Sequence, residues 1–149
     1  MEQFLSHPLV RLTLSFVLAL PIAWNRESSE RSAGLRTFTL VAIGSCAFLV
    51  ILGPPGQSAD SRSRVLQGII TGIGFIGSGA IIKASHHVHG TATAASIFTT
   101  SAVGACCAYG MFDIAIFLSF ATFAVLRWLK PSGVNSDDKS DSGSNLLNQ

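Results

Sequence analysis

The stretch Gly72-Ile-Gly74-Phe-Ile-Gly77-Ser-Gly79 decides the fold of this chain, because it is compatible with two very different structures. As a pattern, Gly-x-Gly-x-x-Gly is a fingerprint of dinucleotide-binding domains, which would indicate a soluble nucleotide-dependent enzyme. By position, however, the stretch lies within Val65–Ile82, which contains no formally charged residue. Glycines in such a segment are typical of helices that pack closely inside a bilayer.

The nucleotide-binding interpretation requires a strand before the glycines, a helix that opens at the last glycine, and an acidic residue about twenty positions further on. No Asp or Glu lies between Asp60 and Asp113. The segment also continues through Ala80-Ile-Ile82 without a polar helix face. These features favour a membrane helix over a nucleotide loop.

The composition of the whole chain agrees with a membrane protein. Charged residues make up 12% of the 149 residues, about half the share typical of soluble domains. The charges are clustered, and a spanning helix needs about twenty mainly apolar residues to cross roughly 30 Å of hydrocarbon. The gaps between the charges predict an all-α integral membrane bundle of five transmembrane helices, at about 8–24, 36–53, 65–82, 92–109 and 111–129.

The basic residues predict the orientation of the bundle, because loops on the cytoplasmic side carry an excess of Lys and Arg. With the N-terminus outside, three basic residues lie on the outer side, namely Arg11, Arg62 and Arg64. The inner side then holds Arg26, Arg31, Arg36, Lys83, Arg127, Lys130 and Lys139. We therefore expect an outside N-terminus and a cytoplasmic C-terminus.

The chain divides into a transmembrane domain, residues 1–130, and a polar tail, residues 131–149. The tail is rich in Ser, Asp, Asn and Gly, so it cannot bury a core and is expected to be disordered. The three cysteines, Cys46, Cys106 and Cys107, all fall within predicted spans, and we expect them to be small packing residues rather than a disulfide framework.

The first inner loop contains four polar candidates for function, Arg26, Glu27, Arg36 and Thr37. If the loop is an interfacial anchor, that role alone explains its basic residues. As a binding site, Gly34 could turn the loop sharply into the second span, with Thr37 as the helix cap. The sequence favours the anchor and leaves the binding site open.

The second loop, Asp60-Ser-Arg62-Ser-Arg64, is predicted at the outer mouth of the glycine-rich span. Asp113 and Arg11 lie on the same side. Because an ionisable residue at membrane depth is costly and is normally paired, we expect Asp113 to pair with Arg11 or Arg64.

Metal binding and catalysis find little support in the sequence. His86-His87-x-His89 could ligate a transition metal. The side chains of adjacent histidines in a helix point in different directions, however, and would chelate a metal poorly. A solvated inner loop is therefore favoured. Magnesium prefers oxygen ligands, and the available carboxylates divide between the two sides of the membrane. No Gly-x-Ser-x-Gly elbow and no P-loop lysine are present. We expect no metal site, no cofactor, no catalytic residue and no enzymatic activity.

Small residues point to close helix packing. Gly68 and Gly72 form a G-x-x-x-G pair in the third span, and small residues also open the fourth span at Thr91–Ser96. The third and fourth spans are therefore predicted to be a tightly packed hairpin at the core of the bundle. The alternatives are a narrow polar path or a docking face for another membrane protein.

The chain resembles the MgtC/SapB family of bacterial inner-membrane proteins from about Arg11 to Leu129. The resemblance rests on four blocks: Arg26-Glu27 with Ala33–Thr37, Asp60 with Arg64, Gly72–Gly79, and Gly90-x-x-Thr93-Ala94-Ala95. The chain departs from the family pattern at Asn25, where an acidic residue is usual, at the Gly90 block, and at Phe98, where Trp is common.

The resemblance implies a multi-pass protein of the bacterial inner (plasma) membrane, linked to magnesium limitation and, in pathogens, to virulence. It favours a non-enzymatic regulator that contacts other membrane complexes, such as ATP synthase, or associates with itself, and no nucleic-acid partner. The alternative is a small oligomeric transporter or channel for magnesium or another ion, and a third interpretation is a membrane-bound hydrolase. The packing or docking positions are Gly68, Gly72, Gly74, Gly77, Gly79 and Thr93, and the polar candidates are Arg26, Glu27, Arg36, Thr37, Asp60, Arg64 and Asp113.

Overall fold

The structure is a computed structural model, and it describes residues 7–27, 34–53, 59–84 and 87–129. This part of the chain contains five helices: α1 (Pro8–Glu27), α2 (Leu35–Ile51), α3 (Ala59–Gly79), α4 (Thr91–Tyr109) and α5 (Phe112–Trp128). A short antiparallel hairpin, β1 (Ile82–Ala84) and β2 (His87–His89), connects α3 to α4. The predicted helical class is confirmed. The tail 131–149 lies outside the described residues.

The third helix differs from its prediction at both ends. It begins at Ala59, so the Asp60–Arg64 segment, predicted as a loop, forms its first turns. An acidic residue in the first turn is favourable there, because the helix dipole is positive at its N-terminus. The helix ends at Gly79 rather than near residue 82, because Ile82 pairs with His89 at the start of the hairpin. The predicted loop at 87–89 is therefore a strand.

Two apolar clusters define the two ends of the bundle. The first contains Cys46, Leu49, Val103, Cys107, Ala108 and Ala115, and we call this the Cys107 end. The second contains Ile22, Ala23, Phe38, Ile73 and Ile97, and we call this the Phe38 end. Each helix contributes its early residues to one cluster and its late residues to the other. Helices that follow each other in the chain are therefore antiparallel.

The most buried helix is α4, in which nine residues are buried. It packs more extensively on α2 than on α3. Among the glycines within the helices, the closest approach is at Gly104, where an added Cβ would meet the carbonyl oxygen of Ala42 and lie 3.0 Å from the carbonyl carbon. The third and fourth spans do pack as a hairpin, with Gly77 beside Ala94, but the prediction that this hairpin is the core of the bundle is wrong, because α4 packs more extensively on α2.

Hydroxyl groups join the helices in the interior. The Ser45 and Ser101 hydroxyls lie 2.8 Å apart and connect α2 to α4. The Ser119 hydroxyl donates to the Leu18 carbonyl, 2.7 Å away, and connects α5 to α1. Such bonds stabilise helix contacts where lipid removes the hydrophobic drive for association.

The outer surface of the bundle is apolar. Phe75 is 81% exposed, Phe117 70% and Phe48 61%. Among the described helices, α1 and α4 are both long and apolar enough to cross a membrane. The three cysteines are free, as expected, and Cys46 and Cys107 are buried in the first cluster.

Candidate functional site

An open groove of about 830 Å³ runs between α2 and α3. It forms because α2 and α3 touch each other little while both pack on α4. We call it the α2–α3 groove. Its α2 side is lined by Thr37, Leu40, Val41, Gly44, Ser45 and Phe48, and its α3 side by Arg64, Val65, Gly68, Ile69, Gly72, Ile73 and Ile76.

The glycines of α3 divide into two groups. An added Cβ would meet no atom within 4 Å at Gly68, Gly72, Gly74 or Gly79. At Gly77 it would lie 3.7 Å from the Ala94 Cβ on α4, so this glycine faces the bundle. The four outward glycines are not used for packing within the described protein. Their role in docking a partner stays a prediction.

Thr93, the remaining predicted packing position, is buried at the start of α4. The next residue, Ala94, is the one that approaches Gly77. Thr93 therefore lies beside the place where α4 meets α3, inside the bundle rather than on its surface.

One exposed row on α3 combines glycines with charges. Asp60, Arg64, Gly68, Gly72 and Ile76 recur at every fourth residue, and all five are exposed. Residues four apart lie on one face of a helix, so these five form a continuous ridge. We call it the α3 strip. From Arg64 to Ile76 it forms part of the wall of the α2–α3 groove.

At the Phe38 end, Glu27, the last residue of α1, caps the start of α2. Its Oε2 accepts a hydrogen bond from the Leu35 amide, at 2.7 Å, and so satisfies one of the free N–H groups of the first turn of α2. Gly34 is the N-cap residue, and a Cβ there would collide with the Glu27 carboxylate. The prediction that Thr37 caps this helix is therefore wrong, because the acceptor comes from across the loop.

The other polar candidates at this end have different surroundings. Thr37 lines the α2–α3 groove, and Arg36 is exposed. Arg26 is partly buried, and its Nε has no hydrogen-bond partner in the described ranges.

At the Cys107 end, two arginines meet the last turn of α4. The Arg11 Nη1 donates to the Ala108 carbonyl at 2.6 Å. The Arg62 guanidinium carbon lies 5.6 Å from the centre of the Tyr109 ring, and only 8% of Arg62 is exposed. The C-terminus of a helix attracts cations, which accounts for the convergence.

Sequence reasoning counted Arg62 as a loop charge and missed its contact with the bundle. The signal that could have found it is Tyr109, the single tyrosine of the chain, placed at the end of the fourth span. Asp113 is exposed in the first turn of α5. The Arg11 Nη1 donates to the end of α4, and the pairing of Asp113 with Arg11 or Arg64 stays a prediction.

The described residues contain no group of three or more His, Cys, Asp or Glu side chains that could hold a metal ion. His86 and the side chain of His87 lie outside the described residues, and His89 is exposed. What the described geometry offers is a contact surface: an apolar groove with glycines on both walls and charges at one end of α3.

These features define a small helical protein with an apolar outer surface and an open groove between two of its helices. The chain belongs to the MgtC family, whose pattern it matches over residues 12–133. The resemblance found in the glycine and arginine blocks is thereby confirmed.

Three curated relatives illustrate the match. Over 123 residues the chain is 39% identical to the uncharacterised protein slr0014 of Synechocystis, covering 83% of this chain and 52% of the relative. Over 127 residues it is 37% identical to MgtC of Brucella abortus (strain 2308), and the match covers 85% of this chain and 53% of that relative. Over 127 residues it is 32% identical to YhiD of Escherichia coli K12, and the match covers 80% of this chain and 59% of that relative. The name of YhiD provisionally describes a magnesium transporter. The chain thus spans a little over half the length of these relatives, and no solved structure matches it.

Proposed function

We propose that this protein is a non-enzymatic membrane regulator, linked to magnesium limitation, that acts by docking the outward face of α3 against another membrane complex. The observation that carries the proposal is the set of outward glycines on α3. In lipid, small residues allow close helix contact, and these four face no other part of the described protein.

The exposed side chains support placement of all five helices in a bacterial inner membrane. Phe75, Phe117 and Phe48 would be unfavourable in water over such a large area, but they suit a lipid-facing surface. Trp24 and Trp128 are both strongly exposed at the Phe38 end, where helix α1 ends and helix α5 ends. Aromatic rings of this kind concentrate at membrane interfaces. In the proposed orientation this end faces the cytoplasm.

The link to magnesium rests on the relatives. One relative is named MgtC, and YhiD carries a name that describes magnesium transport. The name of YhiD also favours a second candidate function, an oligomeric transporter for magnesium or another ion. In pathogens we extend the regulator proposal to virulence, and we include ATP synthase among the complexes to be tested as partners.

The test of the proposal is crosslinking and capture from native membranes at low and high magnesium. We expect the wild-type protein to recover a defined membrane complex at low magnesium. Gly74→Leu should abolish its recovery, because the new side chain projects from the docking face without touching the rest of the protein. Thr13→Leu, at an exposed position of α1, is the matched control and should recover the complex normally.

Two results would overturn the proposal. One is equal recovery of the complex by Gly74→Leu and by the wild type. The other is magnesium flux into proteoliposomes that hold the purified protein alone, which would establish the transporter instead.

A further inference from the structure

We propose that two copies of this chain associate in parallel through the α3 strip. Each copy seats the α3 helix of the other in its α2–α3 groove, with Asp60 of each copy against Arg64 of the partner subunit. This inference goes beyond the proposed function and does not rest on it, because it concerns the purified protein alone. The two proposals share Gly68 and Gly72, but the proposed function is tested at Gly74, which lies outside the α3 strip.

The spacing of the strip is that of a helix-packing ridge. Its five residues follow one another at every fourth position, and all five are exposed. Together they extend along most of α3. Ridges of this spacing interdigitate in pairs, and glycines at their centre allow a right-handed crossing with a short distance between the axes. Gly68 and Gly72 occupy that central position, and no atom lies within 4 Å of a Cβ built on either of them.

The charges of the strip identify the occupant as a second copy. Asp60 and Arg64 are both exposed, and within the described ranges neither forms an ion pair in its own chain. A two-fold axis along the bilayer normal places the strip against itself in the same direction. Residues of the same number then lie at the same height across the axis, and each Asp60 lies about 6 Å along the helix from the level of Arg64 of the partner subunit. The long arginine side chain spans this distance, so that two opposite-charge pairs form. A strip that carried one sign of charge would repel its own copy.

The groove supplies the space for this contact. Gly44 stands on its α2 wall, again with no atom within 4 Å of an added Cβ. Leu40 and Phe48, strongly exposed on the same wall, would cover the incoming helix. Ile76 closes the far end of the strip with an apolar contact. The surface therefore combines a close-approach centre, an apolar wall and complementary charges.

The association can be measured by energy transfer between donor-labelled and acceptor-labelled full-length protein in proteoliposomes, over a range of protein-to-lipid ratios. We expect the wild-type protein to show transfer. Asp60→Arg and Arg64→Asp should each weaken association at least tenfold, because all the charges on the two strips then have the same sign. The double variant, which restores a strip of mixed sign, should recover the transfer.

Mixing the two single variants provides the sharpest test. Asp60→Arg chains carry two positive charges on the strip and Arg64→Asp chains carry two negative charges, so the mixture should show more transfer than either variant alone. Gly72→Leu should also weaken association at least tenfold. Gln67→Leu, exposed on α3 but outside the strip, should leave it unchanged.

The proposal is overturned if the wild-type protein is monomeric throughout the dilution series, in which case lipid acyl chains occupy the groove. It is equally overturned if the mixture gives no more transfer than its components, or if Gln67→Leu and Gly72→Leu behave alike. Failure of Gly74→Leu to alter capture of a membrane complex would count against the proposed function and leave this association untouched.

Discussion

The carbonyl group of Ala42 occupies the space that a side chain at position 104 would fill. Gly104 lies in the second half of the most buried helix, and Ala42 lies on the helix that packs most extensively against it. Ser45 follows Ala42 by three residues and Ser101 precedes Gly104 by three residues. These two serines share a hydrogen bond across the same interface. The α2–α4 contact is therefore the central joint of the bundle.

Replacing Gly104 should destabilise the protein. In Gly104→Ala the new methyl group would collide with backbone, which cannot yield as a flexible side chain does. Overpacking of this kind costs about 1–3 kcal/mol, measured as the free energy of unfolding in detergent. Gly74→Ala is the control, because its methyl group meets no atom and alanine favours a helix. Equal stability of the two variants would contradict the close approach.

Replacing Glu27 should weaken the start of α2. Glu27→Ala removes the acceptor of the Leu35 amide, and the loss of such a cap costs about 1 kcal/mol. Glu27→Gln keeps an oxygen acceptor and should lose less than half as much. The comparison uses thermal unfolding of the purified variants. An equal loss for Glu27→Gln and Glu27→Ala would show that the charge, rather than the oxygen acceptor of the cap, is what matters.

The Ser45–Ser101 hydrogen bond can be measured with a double-mutant cycle. Alanine at either position removes one hydroxyl, and alanine at both removes the pair. For hydrogen bonds between membrane helices the coupling averages about 0.6 kcal/mol, and we expect a value near this. A coupling of zero would mean that each hydroxyl is satisfied equally well by its own helix.

Replacing Arg62 with an apolar residue should not harm the fold. Its Nε and Nη2 atoms are buried and have no hydrogen-bond partner in the part of the chain that the structure describes. Replacing a poorly satisfied buried charge with an apolar side chain of similar volume is often neutral or stabilising. We therefore expect Arg62→Met to unfold at the same temperature as the wild type or above it. A strong loss of stability would show that the contact with Tyr109 outweighs the cost of burial.

The proposed orientation predicts the side on which each connection is found. A cysteine introduced at Ser63 should react with a membrane-impermeant reagent added to intact cells. A cysteine at Lys83 should react only after the cells are opened. Since the native cysteines lie within the helices, unmodified protein serves as the control. The reverse pattern would invert the topology.

The positions of the helices followed from charge spacing. Charged residues are costly at membrane depth, so the gaps between them marked the apolar helices. The fourth helix, predicted at about 92–109, is observed at Thr91–Tyr109. The third was placed too late because Asp60, Arg62 and Arg64 are charged, although an interfacial turn of a helix tolerates charges that its central turns do not.

The contacts between the helices did not follow from the sequence. A helix that is apolar all round carries no pattern that distinguishes its buried side from its lipid-facing side. The motif Gly68-x-x-x-Gly72 therefore suggested an internal contact, while Gly104, which has no such partner in its helix, makes one. The Glu27 cap was missed because its acceptor and donor are separated by the first connection.

The peripheral position of α3 has a consequence for how the protein opens. In this helix the structure buries little more than Arg62, Ile73 and Gly77, whereas the remaining four described helices bury one another. A local transition that releases α3 would leave those four in contact, so it should require less free energy than global unfolding. Amide hydrogens of α3 should consequently exchange sooner than those of α4, and α3 is the part of the molecule that a bound protein could hold in place or displace.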